Sequence, residues 1–142
     1  MNIQLNEKIK KRLEIEIKKA YYSAQRYKAV STFAFLFHTK ELSPTELGSL
    51  LRISDHILKI DDHHFFINFT QTSHEDAFKA AQNLLFKLDN HFKDQTSAIA
   101  IDNFNVNQTP SIVLHRLVEI LHEVRKHSYT RIDDESILND LF

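Results

Sequence analysis

A single glycine, Gly48, is the feature that most restricts what this chain of 142 residues can fold into. Loops that hold a phosphate need several glycines, because glycine adopts positive φ freely and lets the backbone approach the ligand closely. A P-loop and a Rossmann dinucleotide-binding turn are therefore excluded. Cysteine is absent, which also excludes disulfides, thiolate nucleophiles and cysteine-ligated zinc.

Length and charge restrict the class of protein further. A domain usually has about 100–200 residues, so residues 1–142 are predicted to form a single domain. The chain has 18 basic and 19 acidic residues, whereas proteins that bind nucleic-acid polymers are normally basic, so that class is not expected. No apolar run reaches the ~20 residues of a membrane span, and the N-terminus lacks the apolar segment of a signal peptide. The expected location is the cytoplasm.

The first 28 residues are predicted to form an amphipathic helix. Apolar residues recur there every three or four positions and define one buried stripe: Leu5, Ile9, Leu13, Ile17, Ala20, Ala24 and Tyr27. The other faces of residues 1–28 carry eight basic and three acidic residues. We interpret them as a solvated surface with ion pairs, with contact to an anionic partner as the alternative.

Five strands and three further helices are predicted along the rest of the chain. The strands are the apolar runs 30–38, 56–61, 65–70, 97–101 and 129–132, and the helices begin at Ser43-Pro44, Ser73 and Thr109-Pro110. This order predicts an α/β (α+β) sandwich of ferredoxin-like type, with about five strands in a mixed sheet and helices packed on it. The runs 33–37 and 65–69 are expected in the sheet interior. The acidic tail 133–142 is expected to fray.

Residues 52–65 (RISDHILKIDDHHF) contain an R-x-x-D segment and a hydrophobic strand that leads into a polar hairpin. This pattern resembles the signature region of the GGDEF domain family, the diguanylate cyclases. Segments 65–69 (FFINF), 77–81 (AFKAA), 97–101 (SAIAI) and 120–132 (ILHEVRKHSYTRI) resemble, in the same order, the segments that follow in that family. The resemblance implies a nucleotidyl-cyclase-like fold and a role in bacterial cyclic di-GMP signalling.

The catalytic residues of that family are missing at the matching positions. Asp61, Asp62, His63 and His64 stand where the family has Gly-Gly-Asp/Glu-Glu, and only Phe65 agrees with the motif. In the family the glycines admit the substrate phosphates, whereas aspartates repel them. The matching first strand ends in FLFH (35–38) and lacks the metal-binding aspartate of the family; Mg²⁺ prefers such oxygen ligands. The resemblance therefore implies a degenerate domain that is not an enzyme and holds no cofactor.

One site of the family is retained in residue type. Arg52 and Asp55 fall in the register of the inhibitory R-x-x-D site, which in the family binds cyclic di-GMP. An arginine donates to the O6 and N7 edge of guanine, and an aspartate accepts from its N1 and N2 hydrogens. The alternative is that Arg52 pairs locally with Asp55 or stabilises the end of the preceding helix.

Two histidine groups have the residue types of metal ligands, but neither is predicted to bind a metal. His63 and His64 are adjacent on a strand, so their side chains are expected to point to opposite faces. His115, Glu119 and His122 lie at i, i+4 and i+7 on one side of a helix, which we interpret as a solvated face.

The sequence thus predicts a non-catalytic GGDEF-like signalling module that binds cyclic di-GMP through Arg52 and Asp55. The alternative is a protein-interaction module that kept the fold and binds no nucleotide. A protein partner is expected and a membrane is not. A homodimer is the default assembly, because homodimers are the commonest assemblies of soluble proteins.

Overall fold

The computed structural model describes residues 2–141, with side chains through residue 139. Its helices are α1 (Glu7–Tyr27), α2 (Pro44–Ser49), α3 (His74–Phe92), α4 (Pro110–His127) and a C-terminal 3-10 helix (Glu135–Leu141). Its strands are β1 (Ser31–Phe37), β2 (His56–Asp61), β3 (His64–Thr70), β4 (Ala98–Asp102) and β5 (Ile132–Asp133). Within residues 2–141 these strands form one sheet in the order β2-β3-β1-β4-β5. The predicted sandwich with a five-stranded mixed sheet is confirmed.

The sheet is mixed because its last strand runs parallel to its neighbour. β1 pairs antiparallel with both β3 and β4, β2 pairs antiparallel with β3, and β5 pairs parallel with β4. The phenylalanine-rich strands β1 and β3 therefore lie inside the sheet, as predicted. All seven residues of β1 are buried, which requires cover on both faces of the sheet.

Helices cover the two faces of the sheet and create two hydrophobic clusters. On one face Phe33, Phe35 and Phe66 pack with the buried stripes of α1 and α4. On the other face Leu36 and Phe65 pack with α2 and α3. Burying one such phenylalanine contributes about 1.5–3 kcal/mol, so these rings account for much of the stability of the sheet.

Side chains that accept hydrogen bonds mark the start of each α-helix. Ser43 and Glu46 form a complete capping box at α2. Ser73 caps α3, Thr109 caps α4 and Asn6 caps α1, each by accepting from a backbone N–H of the first turn. The three predicted helix starts are thereby confirmed, because each predicted cap satisfies an otherwise unpaired N–H.

Helices α1 and α3 end without the glycine that usually follows a helix. Lys28 and Lys93 take the left-handed conformation there, with φ of 56° and 58°. A non-glycine residue in this region costs about 1–2 kcal/mol, so the scarcity of glycine places backbone strain at these two helix ends.

Three details of the predicted helix and strand bounds are wrong. The first helix was predicted over residues 1–28, but α1 begins at Glu7, where the side chain of Asn6 caps it. Tyr27, assigned to the buried stripe of the first helix, is 69% exposed, because it is the last residue of α1.

The last strand was expected at 129–132, but β5 spans only Ile132–Asp133. Tyr129 therefore lies outside the strand and is exposed. The hydroxyls of Ser128 and Thr130 both donate to the carbonyl of Ile132, which folds the preceding residues into a loop.

The C-terminal segment, for which the composition favours fraying, forms a 3-10 helix up to Leu141. Its Ile137 is buried in the cluster that contains α1 and α4. Met1 and Phe142, at the ends of the predicted first helix and tail, lie outside the described residues. In the part of the chain from 2 to 141, every helix is too short or too polar to cross a membrane.

Candidate functional site

Arg52 and Asp55 precede β2 and form a bidentate ion pair. Nη2 of Arg52 donates to Oδ1 of Asp55 over 2.7 Å, and Nε donates to Oδ2 over 3.2 Å. The side chain of Asp55 is 1% exposed, whereas that of Arg52 is 52% exposed. The local Arg52–Asp55 pair, which the sequence left open as an alternative, is therefore present. Its carboxylate is covered, and its guanidinium is in contact with solvent.

Residues that follow β3 hold the Arg52 side chain in place. Nη2 of Arg52 also donates to the hydroxyl of Thr72 over 2.7 Å, and this hydroxyl donates to the carbonyl of Thr70. The hydrogen bond that Arg52 donates to the Asp55 carboxylate is the main reason that the pKa of Arg52 is raised above its ordinary value. The guanidinium is thus permanently charged and fixed by two separate segments of the chain.

A cavity of about 240 Å³ lies between this pair and α3. Its polar lining consists of Arg52, Asp55, Asn83 and Lys87, and its apolar lining includes Leu84. Nζ of Lys87 lies 3.4 Å from the carbonyl oxygen of Leu50. The sequence alone did not identify Asn83 and Lys87 as site residues. Their i,i+4 spacing, which places both on one face of α3 beside its buried stripe, was the available signal.

Both aspartates of the hairpin between β2 and β3 bind groups of that hairpin. Oδ1 of Asp61 accepts from the backbone N–H of His63 and lies 2.8 Å from Nδ1 of His64. Asp62 forms a 2.8 Å ion pair with Lys59. The His64 side chain is buried, and its ring packs against Phe37. The two aspartates therefore bind neighbouring groups of the same hairpin.

His38 follows β1 and faces this hairpin through its backbone. Its N–H donates to the carbonyl of His63, and Nδ1 of His63 lies 3.1 Å from the carbonyl oxygen of His38. The buried His38 ring stacks on Phe92 at 4.0 Å, and its Nδ1 is 2.6 Å from Oγ of Ser97. The carboxylate of Asp94 lies 3.6 Å from Nε2. The His38 imidazole is therefore packed against its neighbours at this end of the sheet.

Solved structures with the same architecture are similar to the chain over most of its length. The GGDEF domain of DgcB from Caulobacter crescentus, in complex with c-di-GMP, has a TM-score of 0.69 at 10% identity and covers 89% of this chain and 90% of that one. The chain has the fold of a GGDEF domain. The coiled coil and GGDEF domain of DgcB, also with c-di-GMP, has a TM-score of 0.65 at 8% identity, covering 87% and 79%.

The diguanylate cyclase SiaD from Pseudomonas aeruginosa, in complex with its activator SiaC, is also similar. Its TM-score is 0.66 at 14% identity, and the match covers 88% of this chain but 57% of the SiaD chain. No protein-family model and no curated protein matches the sequence. The predicted nucleotidyl-cyclase-like fold is confirmed, and at these identities the likeness concerns the fold.

The two histidine groups considered as metal ligands remain separate within this GGDEF-like fold. Nε2 of His115 lies 2.8 Å from Oε1 of Glu119 on the exposed side of α4. Neither this set nor the hairpin set brings three ligand atoms within 4.8 Å of one another among residues 2–139.

The two buried histidines are expected to make the GGDEF-like fold less stable in mild acid. Burial lowers the pKa of His38 and His64, whereas an unfolded histidine has a pKa of about 6.5. Below that pH the unfolded chain binds protons that the folded chain does not, so the free energy of unfolding falls until the lowered folded-state pKa is reached. Urea unfolding at pH 7.5 and pH 5.5, about one unit above and below the pKa of an unfolded histidine, measures this loss.

The variant with both His38→Asn and His64→Asn keeps a polar atom near each Nδ1 position and removes the titrating groups. We expect its stability to depend less on pH between these two values. His115→Gln, at an exposed position, is the matched control and should keep the wild-type slope. An unchanged slope in the double variant would show that other groups cause the acid sensitivity.

Proposed function

We propose that this protein is a non-catalytic signalling module of the GGDEF type that binds cyclic di-GMP through Arg52 and Asp55. The observation that carries the proposal is the convergence of this pair with Asn83 and Lys87 at one cavity. Guanine offers O6 and N7 as acceptors and N1 and N2 as donors, which match a guanidinium and a carboxylate. Lys87 adds positive charge for the phosphates of the ligand.

The size of the cavity indicates how much of the ligand enters it. At about 240 Å³ it is smaller than the roughly 300–1,000 Å³ of pockets that enclose whole small molecules. We therefore expect one guanine base to enter, while the sugar and phosphates lie on the surface beside α3.

Binding requires an exchange of hydrogen bonds. The Asp55 carboxylate is covered by Arg52, and both of its oxygens accept from that side chain. Guanine N1 and N2 replace part of these bonds, and the released guanidinium nitrogens then donate to O6 and N7. Because bonds are exchanged rather than added, we expect micromolar rather than nanomolar affinity.

Removal of the guanidinium is expected to weaken binding strongly. In calorimetric titrations Arg52→Ala should lose ~1–3 kcal/mol, or about 5- to 150-fold in affinity for cyclic di-GMP. Asp55→Asn should act in the same direction, and cyclic di-AMP should bind weakly because adenine has a donor where guanine has O6. Arg26→Ala, on the exposed surface of α1, is the matched control. If the wild type and Arg52→Ala bind cyclic di-GMP with equal affinity, Arg52 is not part of the binding site.

A protein-interaction module is the second candidate. Ile53, between Arg52 and Asp55, is fully exposed, so an apolar side chain is available to a protein partner beside the proposed site. SiaD, which has the same fold, occurs with a protein activator. This candidate is favoured if cyclic di-GMP produces no binding heat with folded wild-type protein.

A further inference from the structure

We propose that His74, Asp134 and Glu135 bind one divalent transition-metal ion, with Zn²⁺ as the best-suited ion. His74 is the first residue of α3, and the two acids connect β5 to the C-terminal 3-10 helix. The site shares no residue with the proposed nucleotide site. It also lies at the end of β3 opposite the hairpin, since α3 follows the C-terminal end of that strand.

The three side chains already stand close to coordination geometry. One ligand atom from each lies within 4.8 Å of the other two, and Nε2 of His74 is 2.8 Å from Oδ2 of Asp134. Zn²⁺ binds imidazole nitrogen and carboxylate oxygen at about 2.0–2.2 Å, which puts neighbouring ligand atoms about 3–3.5 Å apart. Small side-chain rotations are therefore enough to place all three around one ion.

A buried carboxylate oxygen without a partner points to a missing ligand. Among the described residues, Oε2 of Glu135 is buried and has no hydrogen-bond partner. An unpaired buried carboxylate oxygen costs free energy that coordination by a cation removes.

Neighbouring groups hold the two carboxylates in position. Nδ2 of Asn103 donates to Oε1 of Glu135. The backbone N–H of Ser136 donates to Oδ1 of Asp134 over 3.0 Å, which leaves Oδ2 directed at His74. Hydrogen bonds of this kind orient the ligands in metal sites and raise their affinity.

The charge and the ligand types select the class of ion. A divalent cation balances two carboxylates, and the imidazole favours zinc-like ions over Mg²⁺, which prefers oxygen ligands alone. The N-terminal dipole of α3 opposes a cation, but Glu75 and Asp76 in the first turn offset it. Three protein ligands leave a fourth position for water. The bound ion joins the C-terminal segment to α3.

Calorimetry with Zn²⁺ on tag-free, chelator-treated protein tests the proposal. We expect one site with a dissociation constant in the micromolar range or tighter, a rise in melting temperature, and no competition from millimolar Mg²⁺. Glu135→Gln and Asp134→Asn keep the side-chain shape, and each should weaken binding by about tenfold or more. His115→Gln, in the exposed pair with Glu119, is the matched control and should bind like the wild type.

Three results would overturn the proposal: no saturable Zn²⁺ binding at submillimolar ion, unchanged affinity in both acid variants, or loss of the site in His115→Gln. Circular dichroism confirms that each variant is folded before titration. If Asp134→Asn does not fold, Glu135→Gln alone decides the result, because its side chain is farther from the β5 pairing.

Discussion

Incubation of the protein with GTP and Mg²⁺ or Mn²⁺ is expected to yield no cyclic dinucleotide above a no-protein control. Phosphoryl transfer depends on metal ions and on groups that position the phosphates. At the hairpin, the Asp61 carboxylate already binds the backbone N–H of His63 and contacts His64. At the end of β1, the buried His38 imidazole stacks on Phe92. The side chains at both positions are therefore already engaged with neighbouring groups of this chain.

The diguanylate cyclase SiaD, assayed in parallel, is the positive control for this experiment. Product that scales with the amount of this protein and disappears in His63→Ala would show that the hairpin is catalytic. That result would replace the proposed receptor by an enzyme with an unusual metal-binding hairpin.

Replacing Arg116 is expected to cost about 3–5 kcal/mol of stability, the loss typical of a buried ion pair that loses one partner. Nε of Arg116 donates to both oxygens of Asp102, at 2.9 and 2.7 Å, and the Asp102 side chain is 0% exposed. Burial raises the pKa of Asp102 and Arg116 lowers it, so without Arg116 the carboxylate is either an unpaired charge or protonated. The midpoint of urea unfolding of Arg116→Met measures the loss.

Arg131→Met is the matched control for this prediction. The two arginine side chains are similarly exposed, at 23% and 26%, but Asp89, the partner of Arg131, is 20% exposed. Because Asp89 stays partly in contact with water, we expect a smaller loss for Arg131→Met than for Arg116→Met. Adding Asp102→Asn to Arg116→Met should recover stability, because a buried neutral amide costs less than a buried charge. Equal losses in the two single variants would contradict the burial argument.

Periodicity and capping residues predicted the α/β sandwich, and the resemblance to the GGDEF family predicted its nucleotidyl-cyclase-like form. The stripe through Leu13 and Ile17 and the caps at Ser43 and Ser73 are local patterns, and the structure contains them as predicted. The bounds of β5 were not predictable in this way. They depend on hydroxyl groups that bind Ile132 and on the left-handed conformation of Arg131, which no local hydrophobic pattern encodes.

Only the residues of the candidate site that are close in sequence were predictable. Arg52 and Asp55 are three residues apart, so their spacing alone brought them together as a candidate pair. Asn83 and Lys87 reach the same cavity from α3, and their position depends on how that helix packs on the sheet. The group of His74 and Asp134 was not predictable for the same reason, because these residues are 60 positions apart in sequence.

The central claim is that Arg52 and Asp55 form the opening of a cyclic di-GMP site against α3. Amide NMR spectra of nitrogen-labelled protein, recorded during titration with cyclic di-GMP, test it most directly. We predict saturable shifts at the amides around Arg52, Asp55, Asn83 and Lys87, with the hairpin amides of residues 61–64 unchanged. No shifts with millimolar ligand, or shifts confined to residues 61–64, would contradict the claim.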